Sequence, residues 1–218
     1  NGYHVWLSEV MLQQTQVKTV LPYYRKFITT FPNIKSLALA DDDAVMQLWS
    51  GLGYYARARN LHESAKIIHS KFQDKFPTKL IDLLSLPGIG RSTAGAICSL
   101  ALNQKTPILD GNVKRVFTRL YGIKDWAGVI SVEKKLWAMA EKNLPESKFG
   151  NYNQALMDLG ATICIKKEPM CSQCPINNSC KSFLHKWTNI IPASKPKKET
   201  LTEVSFFYIF QYQSKFLF

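Results

Sequence analysis

The sequence predicts an all-α body running to about residue 190, then a short tether and the opening of a β-containing C-terminal segment. Three observations carry that reading. Apolar residues recur at helical spacing through most of the chain, and the connections between these stretches are brief and punctuated by Gly, Pro or Asp. Alternation among β-favouring residues is confined to VSFFYIFQYQSKFLF, at the end. The 218 residues suffice for a sizeable core spread over two lobes. A hydrophobic content of 46%, with 12% aromatic, excludes disorder as the overall state. No apolar run approaches the roughly 18 residues that cross a membrane, and no secretory signal is visible. A cytoplasmic, monomeric protein without a membrane partner is therefore expected. Asn1 and Phe218, the latter inside an apolar run, read as cut ends.

The elements follow in order. SEVMLQQTQV, residues 8 to 17, reads as helix, with Trp6, Leu7, Val10, Met11 and Leu12 supplying apolar contacts. Asp41 to Asp43 cap a periodic segment that ends near Trp49, broken by Gly51 and Gly53. Residues 54 to 72, YYARARNLHESAKIIHSKF, place Leu61, Ala65 and Ile68 on one helical face. Pro77 opens a helix that leads into LSLPGIG, and further helices are expected at 91–103, 111–121, 131–143 and 151–163. PASKPKKET, residues 192 to 200, is the tether. No internal repeat is evident.

Charge points to a polyanionic partner. Lys and Arg number 28 against 16 acids, a net +12; nucleic acid is the simplest such partner, and a merely basic protein the plainer account. Placement sharpens the point, because seven lysines but only Glu168 among acids lie between Cys164 and Lys198.

Four local patterns carry chemistry. Glu9 shares its helical face with Val5 and Leu12, and a carboxylate among apolar side chains is costly to ionise. That makes it a candidate general acid, although a half-buried surface glutamate looks the same. Cys164, Cys171, Cys174 and Cys180, spaced C-x6-C-x2-C-x5-C, point to metal rather than disulfides. Zinc sites commonly pair two C-x2-C knuckles; one knuckle flanked by single cysteines better suits an iron–sulfur cluster, with zinc the alternative. Cys98, in AGAICSLAL, reads as a small core residue. In LPGIGRSTAGAI, residues 86 to 97, Gly88 and Gly90 permit a tight turn before a helix whose free N–H groups suit a phosphate oxygen. An ordinary helix connection is the competing account, but the small residues Ser92, Ala94 and Gly95 favour a closely packed hairpin of the helix–hairpin–helix kind. Finally, ILDGNVKRV, residues 108 to 116, places Asp110 as an N-cap, with Lys114 and Arg115 one turn later in reach of phosphates.

Together these motifs, with GLGYYARARNL and NQALMDLGATIC, resemble the adenine DNA glycosylases of the MutY type, in the endonuclease III superfamily, over residues 1 to about 192. The resemblance implies the helix–hairpin–helix glycosylase fold: a six-helix domain over 1–105 and a helical domain over 106–192 bearing a [4Fe-4S] cluster on the four cysteines. A linker at 193–200 and the start of a NUDIX-like domain at 201–218 would follow. The family's first helix would lie upstream of Asn1. The implied substrate is duplex DNA in which adenine faces 8-oxoguanine or guanine, and the implied setting is the bacterial nucleoid.

By the same resemblance Glu9 matches the catalytic acid and Asp110 the catalytic aspartate, with Asn112 helping to position the sugar and Asp110. Gln14 and Tyr54 would enter the duplex near the lesion, while Gly88, Gly90, Ser92 and Lys114 border the DNA. Ser92 stands where strand-cleaving relatives such as endonuclease III keep a lysine and thymine glycosylases a tyrosine, so water is the expected acceptor and strand cleavage should be weak. Arg57 and Arg59 are read as phosphate contacts or as a solvated helix face. The alternatives are a T·G or oxidised-pyrimidine glycosylase on the same scaffold and a non-catalytic cluster protein that only binds DNA.

Overall fold

Local chemistry sets several helix boundaries. The computed structural model describes residues 1–196, 204, 206–213 and 215–217. Among these, α1 (Gly2–Leu12) begins where the Asn1 side chain accepts the Tyr3 N–H at 3.1 Å. α3 (Ile34–Ala38) opens on a capping box between Asn33 and Ser36. α5 (Ala56–Phe72), α7 (Arg91–Leu102) and α8 (Gly111–Tyr121) end at Gln73, Asn103 and Gly122 in left-handed conformation. The other helices are α2 (Val17–Thr30), α4 (Asp42–Trp49), α6 (Leu80–Leu84), α9 (Ile130–Lys142), α10 (Phe149–Asp158) and α11 (Lys181–Leu184).

The all-α prediction holds, with corrections in detail. SEVMLQQTQV is two helices rather than one: α1 stops at Leu12, Gln14 turns the chain at φ 56°, and α2 starts at Val17. The helix expected from residue 54 begins at Ala56, because Tyr54 also sits at positive φ, 50°. The segment after Pro77 makes only the five-residue α6. The Asp41 side chain caps nothing; Asp42 instead pairs with Lys66 and His62. The helix expected at 151–163 ends at Asp158 and widens into a π turn at Leu159–Ile163. The alternating terminal stretch forms a hairpin, β1 (Phe210–Tyr212) against β2 (Lys215–Leu217), antiparallel with Gln211 opposite Phe216. Residues 197–203 of the expected tether and second domain lie outside the described residues.

Two buried clusters form the body. The first gathers Trp6, Leu7 and Met11 of α1, Phe27 of α2, Leu37 of α3, Trp49 of α4, Leu61 and Ile68 of α5 and Leu83 of α6. The second gathers Val113, Val116 and Phe117 of α8 with Leu136 and Ala140 of α9. α7 is their common wall, giving Ala94, Ile97 and the expected core residue Cys98 to one and Ala96 to the other. Burial of this many large side chains, each worth roughly 1.5–3 kcal/mol, is what holds the lobes. Gly95 lets the following segment cross α7 closely, since a Cβ there would lie 2.3 Å from the Pro107 carbonyl oxygen.

One buried charge ties the first lobe together. Leu61 and Ala65 share a face of α5 with Arg57, so Arg57 points inward and is only 8% exposed. Its guanidinium donates to the carbonyls of Val10 (3.2 Å), Met11 (2.6 Å), Gln13 (2.6 Å) and Gly53 (3.2 Å). Both sequence-based readings of Arg57, phosphate contact and solvated face, are therefore wrong; Arg59 is exposed. Where α1 stops, its last carbonyls lose their regular helical partners; Val10 keeps only a long bond from the Gln13 N–H at 3.4 Å, and Arg57 supplies the donor. Arg57→Met, similar in reach but without donors, is expected to lower unfolding stability by about 3 kcal/mol. Arg57→Lys should recover only part of this, because one ammonium cannot reach all four oxygens. Urea denaturation followed by circular dichroism checks both.

Candidate active site and cysteine loop

The hairpin connection and the start of α8 form one rigid corner. Gly88, at φ 75°, makes the turn, and a Cβ there would lie 2.9 Å from Asn60. Gly90, in contrast, is extended and its Cβ would meet nothing, so its place in the turn does not require glycine. It is the N-cap of α7, whose first N–H groups it leaves uncovered. Ser92, on the first turn of α7, accepts the Leu109 N–H on its Oγ at 3.1 Å. That bond fixes the segment leading straight into Asp110.

Asp110 caps α8, accepting the Val113 N–H at 2.8 Å on one oxygen and the Asn112 Nδ2 at 3.2 Å on the other. Asn112 in turn accepts Arg115 Nη2 at 2.8 Å. Arg115 also donates to the carbonyls of Gly160 and Cys164, both at 2.6 Å, and to Gly111 at 3.4 Å. It is thus not the free phosphate contact expected from the sequence. Gly160 has no room for a side chain, since a Cβ would sit 2.5 Å from Asn112 Cβ. The π turn holding Gly160 presses directly on the residue beside Asp110.

Glu9, from α1, faces this corner. Burial, and then the neighbouring Asp110 carboxylate, push its pKa up to about 7. The two residues expected from the sequence are therefore within electrostatic reach of one another, an acid that gives up its proton only near neutrality and a carboxyl group that accepts two hydrogen bonds. Ionising Glu9 opposes folding: its contribution is complete below the usual glutamate value and is lost as pH rises through about 7.

Gln14 and Tyr54 project from neighbouring loops. Both sit at positive φ and both are exposed, Tyr54 by 58%. Arg57 connects them, binding the carbonyl before each turn residue, Gln13 and Gly53, while its guanidinium lies 5.2 Å from the centroid of the Tyr54 ring. Gln13 reaches the hairpin through weak contacts to Gly88 O and Thr93 Oγ1. Lys114, expected at phosphates, is paired with Glu133 of α9.

The four cysteines of the loop are free and partly buried. The Cys171 thiol is pushed up by burial first, then by the charges of Cys164 and Cys180, so these sulphurs sense one another. Among the described residues no three Cys, His, Asp or Glu side chains gather closely enough to hold a single metal ion. Arg119, buried and unremarked in the sequence, secures the loop to α8. It donates to Ile165 (2.6 Å), Lys166 (3.0 Å) and Ile191 (2.8 Å) carbonyls, more weakly to Thr188, and to Cys164 Sγ at 3.4 Å. The one signal available was its spacing, four residues after Arg115 on the same face of α8. Lys166, Lys167 and Lys181 are exposed around the loop. No helix among the described residues is long and apolar enough to cross a membrane.

Comparison with known proteins places these features in a lineage. The chain is 49% identical over 214 residues to an adenine DNA glycosylase of Buchnera aphidicola, covering 98% of this chain and 62% of that protein. It is 44% identical over 182 residues to the adenine DNA glycosylase of Homo sapiens, covering 83% of this chain and 33% of that one. The chain thus spans about three-fifths of the bacterial relative's length. In structure it is similar to a thermostable thymine-DNA glycosylase, with a TM-score of 0.77, 26% identity and 85% of each chain covered. Residues 7–142, from α1 through α9 and including Glu9, the hairpin and Asp110, match the profile of the HhH-GPD superfamily base excision DNA repair proteins, and the chain belongs to that superfamily.

Proposed function

We propose that this chain is the helical, base-excising body of an adenine DNA glycosylase, hydrolysing the bond between adenine and deoxyribose where adenine faces 8-oxoguanine or guanine. The observation that carries it is the pairing of Glu9, with a pKa near 7, and Asp110 at one corner. The names and identities of the relatives agree with it.

The chemistry needs both groups. Breaking the N-glycosidic bond leaves negative charge on the base and positive charge on the sugar. Glu9 donates its proton to the departing adenine, making it a neutral leaving group. Asp110, held by Val113 and Asn112, stabilises the oxocarbenium-like sugar or bonds to it briefly, a division of labour comparable to that of glycoside hydrolases. Water completes the reaction, because Ser92 offers no amine. Adenine must first leave the stack, at a cost of a few kcal/mol, and the exposed Gln14 and Tyr54 are placed to fill the gap. Gly88, Gly90 and the first N–H groups of α7 suit a phosphate.

Cys164, Cys171, Cys174 and Cys180 fit a [4Fe-4S] cluster by donor chemistry: four free thiols ringing one loop, with an Arg119 N–H on one sulphur. When bound, the cluster supplies a rigid centre that holds the loop and its lysines in shape. We assign residues 1–105 and 106–192 to the six-helix and cluster domains, 193–200 to the linker and 201–218 to the start of a NUDIX-like domain. The body acts as a monomer on duplex DNA. A thymine glycosylase is the second reading, favoured by the structural likeness noted above.

Single-turnover assays of the full-length protein on A·8-oxoG, A·G, T·G and thymine glycol duplexes separate the two, and adenine release alone is expected. Excision should be fastest below pH 7 and fall as pH rises through about 7, as Glu9 loses its proton. Glu9→Gln should lower excision at least about 10²-fold, with mismatch binding retained. Wild type should leave the abasic strand intact. Ser92→Lys should bring some nicking and a borohydride-trapped adduct, but with slower excision, because it removes the acceptor for the Leu109 N–H. The purified protein should be brown with roughly four irons per chain, by absorption and metal analysis; a colourless protein with one zinc would contradict the assignment.

A further inference from the structure

α9 carries Glu133, Trp137 and Glu141 at four-residue spacing, so the three share one face. That face meets the two helix starts that border the proposed DNA surface. Arg91 is the first residue of α7, directly after the hairpin turn. Its guanidinium lies 3.9 Å from the Trp137 ring centroid and its Nη2 bonds to Glu141 at 2.5 Å. Lys114, on the first turns of α8, bonds to Glu133. Arg91, Glu133, Trp137 and Glu141 line a cavity of about 430 Å³ together with Ile130, Lys134 and Ala138. The pairs remain accessible: the Arg91 and Glu141 side chains are 52% and 54% exposed, and those of Lys114 and Glu133 27% and 41%.

Exposed ion pairs of this kind are weak, so a phosphate can take the place of either carboxylate. Arg91 stands beside the uncapped N–H groups at the start of α7, which suit the same phosphates, whereas the start of α8 beside Lys114 is already capped by Asp110. A protein of net +12 would otherwise hold any duplex by charge alone. We propose, resting on the DNA-binding reading above, that Glu133 and Glu141 are built-in competitors of DNA phosphates for Lys114 and Arg91. They lower sequence-independent affinity, so that undamaged duplex is released while contacts made by Glu9, Asp110, Gln14 and Tyr54 to an extruded adenine are untouched. Phosphate binding and the α9 pairs exclude one another, and α9 sets the balance between search and grip.

The test uses the full-length protein and an undamaged duplex, with binding followed by fluorescence anisotropy across a salt series. Glu133→Gln and Glu141→Gln should each tighten binding about two- to fivefold near 0.1 M salt. The slope of log K against log salt should steepen by up to about 0.9 for each freed cation. Arg91→Gln should cancel the gain of Glu141→Gln when the two are combined, because the freed guanidinium is then absent. Glu146→Gln removes the same charge from a pair with Lys105, beyond the opposite end of α7, and should change binding little. Variants that bind as wild type does, or an equal gain in Glu146→Gln, would overturn the proposal. Wild type with no salt-dependent duplex binding would overturn the DNA reading as well, which distinguishes the two failures.

Discussion

Main-chain carbonyls stranded where helices stop inside the protein must find donors, and three arginines meet that demand here. Arg57 takes the end of α1 and the loop before α5; Arg115 takes the π turn after α10; Arg119 takes both flanks of the cysteine loop. A guanidinium carries five N–H donors in a fixed fork, so one side chain can serve several oxygens that no regular helix or sheet would satisfy. Each arginine also has a functional neighbour. Arg57 underlies the turns bearing Gln14 and Tyr54, Arg115 orients Asn112 beside Asp110, and Arg119 reaches Cys164. The irregular backbone that presents the site is therefore held by the same bonds that make its irregularity tolerable.

Within that frame the carboxylates are arranged against stability. Glu9 is partly buried near Asp110, and both the burial and the neighbouring carboxylate oppose its ionisation. A neutral side chain would suit the fold better above pH 7, but it would have no proton to give. Asp110 is settled by contrast through a helix N-cap and an amide, and Ser92 anchors the strand before it. The two acids thus sit in different surroundings, Glu9 partly buried on α1 and Asp110 on helix-end donors. The same economy of charge extends outward, where the acidic face of α9 moderates cations at the starts of α7 and α8.

The sequence by itself determined the all-α class, most helix positions and the hairpin, and it singled out Glu9, Asp110 and the four cysteines as candidates. Those are local signals: apolar periodicity, Gly and Pro punctuation, an Asp before a helix start and close cysteine spacing. It misjudged SEVMLQQTQV as one helix, because glutamine has no strong preference against continuing and the turn at Gln14 depends on Arg57, some forty residues away. It left Arg57 among surface charges and Arg115 among phosphate contacts, although the apolar face shared by Arg57, Leu61 and Ala65 was readable. It could not weigh Arg119 at all, since a buried arginine differs from an exposed one only in what surrounds it. Tertiary structure alone decided which charges are free, which are spent on carbonyls and which meet a carboxylate, because hydrogen-bond partners distant in sequence, and the burial of Glu9 beside Asp110, exist only once α1, α5, α7, α8 and α9 are packed.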